Sequence, residues 1–295
     1  MKRVAFVLAL VVAASSAMRA GAQDMEKVEI GATHVAGNVH ILQGAGGTIG
    51  VSVGDDGILM VDDQFAPLAD KVRKALKGIH HGKLKFLLNT HWHSDHTNAN
   101  SVFGKEAPIV SHHNVRKRLM SAQKLKRGEF PPLDRNGWPI ITFEQSLSIH
   151  FNGEEIRAVH YPNSHTDGDA AIFFTQSKVA HLGDLHFSGL FPFVDLETGG
   201  TVDGVIETLE SILAELPADT KFIAGHGQPI NTAADVRRDL AMIQATAKIA
   251  RDWHARGLTL EQAQGEGLPQ EYAGYSWGFI PTERWIETLY ESYAR

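Results

Sequence analysis

Apolar residues fall in short blocks along the first part of this chain, and the period of the pattern changes from block to block. Val39-His40-Ile41-Leu42, Thr48-Ile49-Gly50-Val51-Ser52-Val53 and Gly57-Ile58-Leu59-Met60-Val61 are separated by Gly44, Gly46, Gly47 and the turn Gly54-Asp55-Asp56-Gly57. Short runs punctuated by glycine predict a meander of strands. From Pro67 the spacing becomes helical, with Leu68, Val72, Ala75, Leu76 and Ile79 on one face and Gly78 near the end. Phe86-Leu87-Leu88 reads as the next strand. Ile109-Val110-Ser111 reads as another, after which His112 and His113 start a helix through Val115 and Leu119 and take a structural or capping role.

Residues 123–139 break the pattern with Gly128, Pro131, Pro132, Gly137 and Pro139, as an irregular polar connection or a flap would. Strands return at 140–143, 147–151 and 156–160, and 171–174 with 179–182 reads as a hairpin. A helix carrying Val205, Ile206, Leu209, Ile212, Leu213 and Leu216 leads to the strand Phe222-Ile223-Ala224. After Gln228 the chain turns helical. Thr232 and Asp235 make a capping-box-like start to a long helix with Val236, Leu240, Ile243, Ala247 and Ala250 on one face, and shorter helices follow at 258–264 and 281–293. The pattern predicts an α/β domain over 23–228 and a helical extension over 229–295 packed on it, with no internal repeat.

Hydrophobic content of 43% and charged content of 21% over 295 residues suit one large core. The net charge of −6 argues against a basic nucleic-acid-binding face. With no cysteine there is no disulfide, no thiolate ligand and no cysteine nucleophile. Residues 1–22 read as a secretory signal peptide: Lys2 and Arg3, an apolar run from Val4 to Ala14, then Ala20-Gly21-Ala22 before Gln23. An uncleaved anchor is the alternative, but the run is short for a bilayer span. The expectation is a periplasmic or secreted protein with no membrane contact after cleavage.

Directly after Phe86-Leu87-Leu88 comes Asn89-Thr90-His91-Trp92-His93-Ser94-Asp95-His96, with three histidines and a carboxylate in H-x-H-x-D-H spacing. A polar surface loop is the bland account. Imidazole and carboxylate at this density are the ligands that zinc selects, which favours a metal site. Further ligand types follow in Asn163-Ser164-His165-Thr166, Leu182-Gly183-Asp184 and Gly225-His226-Gly227, each placed by the pattern just past a strand. Asp62 and Asp63 close another strand, where a carboxylate can fix the tautomer of a ligating histidine or simply cap a solvated turn.

With these motifs, from about Asn38 to His226, the chain resembles the metallo-β-lactamase superfamily. The resemblance implies an αββα sandwich and two Zn2+ ions per chain. It assigns His91, His93 and His165 to the first ion, Asp95, His96 and His226 to the second, Asp184 as the bridge, and Asp62 as the carboxylate behind a ligand. A hydroxide between the ions would be the nucleophile, since zinc lowers the pKa of bound water to about 7, and Asp95 would be the catalytic carboxylate. Iron or manganese on the same ligands is compatible with that resemblance. Trp92, His186 and Phe191 are candidates for substrate contact, with core packing as the plain alternative.

The expected activity is hydrolysis of a small molecule by opening a cyclic amide or ester. Export places β-lactams first. An aspartate at 184 points the other way, towards lactonases and thioester hydrolases of the hydroxyacylglutathione type, although no matching set of basic anchor residues is legible in 229–295. Phosphodiesterase and iron-dependent persulfide chemistry use related ligands. Outside enzymology, the same residues would suit a periplasmic zinc-binding protein, which a closed ligand shell rather than an open cleft would favour. Oligomeric state is not legible.

Overall fold

In the computed structural model, which describes residues 25–294, the chain opens with the antiparallel meander β1 (Gly31–Ala36), β2 (Val39–Gln43), β3 (Ile49–Gly54) and β4 (Gly57–Val61). The leader pattern at 1–22 lies outside the described residues. A 3-10 turn, Ala66–Leu68, enters α1 (Ala69–Ile79), so Pro67 sits one turn ahead of the regular helix. β5 (Leu84–Leu88) then lies parallel to β4. Two short helices, α2 (Ser94–Thr97) and α3 (Asn100–Phe103), lead to β6 (Ile109–His112), parallel to β5. After α4 (His113–Leu119), a small hairpin of β7 (Gln123–Leu125) and β8 (Gly128–Phe130) precedes β9 (Ile141–Phe143), which completes a seven-stranded sheet in the order β1-β2-β3-β4-β5-β6-β9.

The second sheet is β10 (Ser146–Phe151), β11 (Glu154–His160), β12 (Ala170–Phe174) and β13 (Val179–Ser188), all antiparallel, then β14 (Lys221–Gly227) parallel to β13 after the crossover helix α5 (Val202–Glu215), and β15 (Ile230–Asn231). α6 (Ala233–Ala255), α7 (Leu260–Glu266) and α8 (Thr282–Tyr293) end the chain. Thr232 and Asp235 form the capping box of α6, with the Asp235 N–H donating to Thr232 Oγ1 and the Thr232 N–H to Asp235 Oδ2.

Strand alternation explains the layers. Leu59 and Val61 on β4 face Ile172 and Phe174 on β12 in one buried cluster between the sheets. Ile58 and Met60, on the other face of β4, pack with Val72 and Leu76 of α1. Ala171 and Phe173, on the other face of β12, pack with α5, α6 and α8 through Leu209, Ile243 and Trp285. Both faces of the central strands are therefore buried, which is why they read as continuous apolar runs. The result is an αββα sandwich whose outer helical layer on the second sheet continues into the C-terminal helices. β1 escapes the pattern because Gly31 to His34 are exposed at the sheet edge and half polar.

Two expectations are corrected. Segment 123–139 carries the β7–β8 hairpin and a 3-10 turn, Arg135–Gly137, and its Leu125, Phe130 and Leu133 pack on Trp92, Val115 and Leu119. Asp184 and His226 do not follow strands; they lie within β13 and β14. Those strands pair with register shifts between His181 and Gly183 and again between Gly183 and Phe187. Such irregularities bend a strand and re-aim its side chains.

Candidate active site

The loop after β5 and the single turn of α2 bring His91, His93, Asp95 and His96 to one end of the sandwich. β13 brings Asp184 to the same place, β14 brings His226, and the loop between β11 and β12 brings His165. Ligand-type atoms of His91, His93, His165 and Asp184 lie within 4.8 Å of one another, as do those of Asp95, His96 and His226. Asp184 spans the two groups. Its Oδ2 is 3.7 Å from His91 Nε2 and 3.5 Å from His165 Nε2, and its Oδ1 is 3.1 Å from His96 Nε2 and 3.4 Å from His226 Nε2. Asp95 Oδ2 is 3.1 Å from His226 Nε2.

Hydrogen bonds behind the cluster decide which nitrogens carry protons. Asp62 Oδ2 accepts from His96 Nδ1 at 2.7 Å and from Thr90 Oγ1 at 2.7 Å. With its proton given to Asp62, the Thr90 hydroxyl accepts from His91 Nδ1 at 3.0 Å. His93 Nε2 donates to Asp195 at 2.9 Å and His165 Nδ1 to the Phe193 carbonyl at 2.7 Å. Each ring then presents its other nitrogen as a bare lone pair to the centre. His93 Nδ1 and His165 Nε2 face each other at 2.9 Å, an arrangement of two acceptors that calls for a cation near both. His91 Nε2, His96 Nε2 and Asp184 Oδ1 are buried with no hydrogen-bond partner. Buried polar atoms are rarely left so, and these are the atoms a metal pair would bind. The donor set fits zinc.

Charge balance agrees. Burial lowers the pKa of His91 well below the usual histidine value and that of His93 to about 4, so both favour the neutral form that ligates. Burial opposes the charge on Asp184 too, but His226, His96 and His91 hold its carboxyl well below the carboxylate range. Burial works against charge on His226 and His96 too, but Asp184 with Asp95 together raise His226 to about 9, and Asp184, Asp95 and Asp62 raise His96 well above the usual value, so the carboxylates draw positive charge to these two rings, as a proton or a metal ion. Close backbone approach makes room for the cluster: a Cβ on Gly47 would lie 2.1 Å from the His96 ring, and one on Gly225 2.1 Å from Asp184 Oδ1. Asp62 itself has φ of +62°, a strained position for aspartate, and its N–H donates to Leu88 O at 2.7 Å. Asp63 plays a different part, turning away to accept from the Ala99 N–H at 3.1 Å.

Above the centre is a cavity of about 530 Å³ that reaches His93, Asp95, Asp184 and His226. Trp92 lines it. His186 and Phe191 do not: His186 is buried against Asp239, with Nε2 donating at 2.9 Å, and Phe191 is packed against Tyr275 and Trp285. The register shift explains the error for His186. An unbroken strand puts residues 184 and 186 on one face, whereas here Phe187 pairs with His226 and lines the cavity beside Asp184. Asp195, Arg127, Phe130, Phe193, Trp277 and Phe279 also went unread. Only the H-x-H-x-D-H block has local spacing; these six meet the site through tertiary packing.

The family model described as the metallo-beta-lactamase superfamily matches residues 37–226, which take in every ligand-type residue of the centre. The chain belongs to the metallo-beta-lactamase superfamily. As a member it is a hydrolase of a superfamily whose sites typically hold two metal ions. It is similar to a metallo-beta-lactamase from Pontibacter korlensis, with a TM-score of 0.61 at 14% identity over 73% of this chain and 99% of that one. It is also similar to the stereoselective inverting sec-alkylsulfatase Pisa1 from Pseudomonas sp., with a TM-score of 0.67 at 16% identity over 90% of this chain and 50% of that one. Among curated proteins, the alpha subunit of 2,4-dinitroanisole O-demethylase from Nocardioides sp. (strain JS1661) is 25% identical over 138 residues, 46% of this chain and 40% of that subunit. An uncharacterized protein of Aquifex aeolicus (strain VF5) is 26% identical over 160 residues, 54% of this chain and 74% of that protein. At these identities the structural likeness bears on the fold.

Proposed function

We propose that the chain is a two-metal hydrolase that opens an ester or lactone of a small organic molecule. The observation that carries the reading is Asp184, whose two carboxylate oxygens face the two ligand groups separately. His91, His93 and His165 would hold one ion and Asp95, His96 and His226 the other. Such ions, when bound, make water a nucleophile near neutral pH and polarise the acyl carbonyl. The residues supply the rest: Asp62, Thr90, Asp195 and the Phe193 carbonyl fix the tautomers, and the cavity over Asp95 and His226 leaves the centre open to a substrate. That open access favours hydrolysis over zinc storage.

Asp184 also bears on the bond cleaved. A carboxylate shared between two ions adds negative charge there and lowers their Lewis acidity relative to a neutral bridge. Alkoxide and thiolate leaving groups tolerate that better than an amide nitrogen, so β-lactam opening, the first expectation from the sequence, ranks behind ester and lactone cleavage. The leader pattern supports a location outside the cytoplasm.

The test is metal content together with kcat/KM for a lactone, a thioester, a penicillin and a cephalosporin on one preparation. The expected result is close to two divalent ions per chain, loss of activity with a chelator, and lactone or thioester turnover well above both β-lactams. A fully metallated protein that opens β-lactams faster than lactones would reverse the ranking. Retention of two ions after Asp184→Ala would remove the basis of the reading.

A further inference from the structure

Six aromatic side chains surround the cavity, and they come from four separate parts of the chain. Trp92 from the ligand loop and Phe130 from β8 form one wall, edge to face at 5.8 Å. Phe187 and Phe193 follow Asp184 along the chain. Trp277 and Phe279 arrive from the C-terminal extension, between the 3-10 turn Gln270–Tyr275 and α8, outside the stretch the family model matches. These four make the opposite wall: Trp277 lies 6.2 Å from Phe187 and 5.6 Å from Phe279, and Phe279 lies 5.4 Å from Phe193.

The extension holds its two rings in place. Trp277 Nε1 donates to the Phe191 carbonyl at 2.9 Å, and the Trp277 N–H to Ile280 O at 3.2 Å. Phe279 is 45% exposed, so part of its ring is open to a ligand entering the cavity. Arg284 braces it from behind, over the Phe279 ring at 4.4 Å and donating to its carbonyl at 2.8 Å.

Charge narrows the ligand further. Arg127 is the cation lining the cavity among the described residues, and it is paired with a buried carboxylate. Its Nη1 donates to Asp195 at 2.8 Å, and its guanidinium lies 5.4 Å from Trp92, 5.2 Å from Phe130 and 5.1 Å from Phe193. Detaching it to meet a substrate carboxylate would leave Asp195 buried without its cation, which is costly. Above the histidines and carboxylates of the centre, the walls thus offer ring faces and edges and one cation whose charge Asp195 neutralises.

We propose that Trp277 and Phe279 are specificity-determining residues that select an uncharged substrate carrying an aromatic or similarly flat apolar group next to the scissile acyl bond. The flat group sits between the Trp92–Phe130 wall and the Trp277–Phe279 wall while the acyl carbon rests over Asp95 and Asp184. This deepens the hydrolase reading and rests on it. Stacking between rings adds to simple burial, and removal of one wall should cost about 10- to 100-fold in preference, the range in which hydrophobic pockets discriminate.

The experiment uses the zinc-loaded full chain, Phe279→Ala, Trp277→Ala and the conservative Trp277→Phe, with circular dichroism and metal content measured on each. Three lactones are compared: dihydrocoumarin, its ring-carboxylated analogue and δ-valerolactone. Wild type should favour dihydrocoumarin over both others by at least about tenfold. The dihydrocoumarin to δ-valerolactone ratio, whose intrinsic part from the better phenolate leaving group is common to all forms, should fall about tenfold or more in the alanine variants and recover in Trp277→Phe. Binding of 2-acetonaphthone, a neutral ketone that cannot be hydrolysed, is followed in parallel by calorimetry and should weaken in both alanine variants. Ratios unchanged by the alanine variants, or a preference for the carboxylated lactone, would overturn the proposal. Should no lactone turn over, the lactone reading falls separately, and the ketone decides this one: equal binding by wild type and both alanine variants rejects it, and weakened binding in the variants supports it.

Discussion

Four histidines at the centre, His91, His93, His96 and His165, are told which nitrogen to offer by residues behind the centre. Asp195 does this for His93, and it is the clearest case because its partners are few: His93 Nε2 at 2.9 Å and Arg127 Nη1 at 2.8 Å. Burial works against its charge, and the hydrogen bond from His93 with the Arg127 guanidinium holds its carboxyl well below the usual carboxylate range. Partners of this kind are worth about 10- to 100-fold in metal affinity. Asp195→Ala should therefore weaken zinc binding by that factor in chelator competition, while Asp195→Asn, which keeps an acceptor oxygen, should lose less. Equal affinities for wild type and Asp195→Ala would mean that Arg127 and the Phe193 loop alone hold His93. The H-x-H-x-D-H residues were legible in the sequence because they lie within one loop and turn. Asp195 was not, since nothing in Val194-Asp195-Leu196 marks an aspartate whose partner lies 102 residues away.

At the scale of elements, α4 shows a helix start with a pH dependence built into it. His112, the last residue of β6, caps the helix, its Nδ1 accepting from the Asn114 N–H at 3.3 Å, in line with the structural or capping role read from its place after Ile109-Val110-Ser111. Its ring stacks on His160 at 3.7 Å and 8°, and lies 5.4 Å from His113, while Asp167 faces it from the following loop in the grip of Arg118. Burial, then His160 and His113, lowers its pKa to about 4 against Asp167 and the Glu144 backbone. Between the unfolded value of about 6.5 and about 4 the unfolded chain holds a proton here that the folded chain does not. Stability from this group is thus present above about pH 6.5 and is lost as pH falls towards 4. His112→Asn keeps a capping acceptor and removes the titration, so its Tm should fall less than that of wild type between about pH 7 and about pH 5. A parallel decline in both would assign the acid sensitivity elsewhere.

The β7–β8 hairpin is the element the sequence described worst, and the reason is physical. Its glycine and charged residues have no periodicity because its order comes from outside: Arg127 on Asp195, the Lys126 N–H on the Glu197 carboxylate, and Lys126 Nζ on Glu291 of α8. A loop held by such contacts opens locally at low cost once they are removed. Arg127→Met should raise the rate of tryptic cleavage after Lys124 or Lys126 several-fold without a matching drop in global Tm. An unchanged cleavage rate would show that Phe130 and Leu133 anchor the segment by packing alone.

For the whole molecule, the change of pattern after Gln228 reads as an extension laid on a finished core, and the packing argues for a tighter union. Trp285 of α8 is fully buried, stacks on Phe191 at 5.8 Å, and its Nε1 donates to Thr246 Oγ1 of α6 at 3.2 Å. Phe191 in turn carries the carbonyl that fixes Trp277 in the cavity wall. One continuous apolar cluster takes in β12, β13, α5, α6 and α8, so the second sheet has no finished outer face until the C-terminal helices cover it. Separate units joined by a small interface would unfold separately. Here urea should give a single transition followed alike by far-ultraviolet circular dichroism and tryptophan fluorescence. Trp285→Ala, which empties a large buried site and strands the hydrogen-bonding capacity of Thr246, should lower stability by about 3–5 kcal/mol and move that one transition as a whole. Two transitions, with only the earlier one shifted by Trp285→Ala, would make 229–295 an independent unit, and the aromatic wall would then be a contact the core can lose while its fold survives.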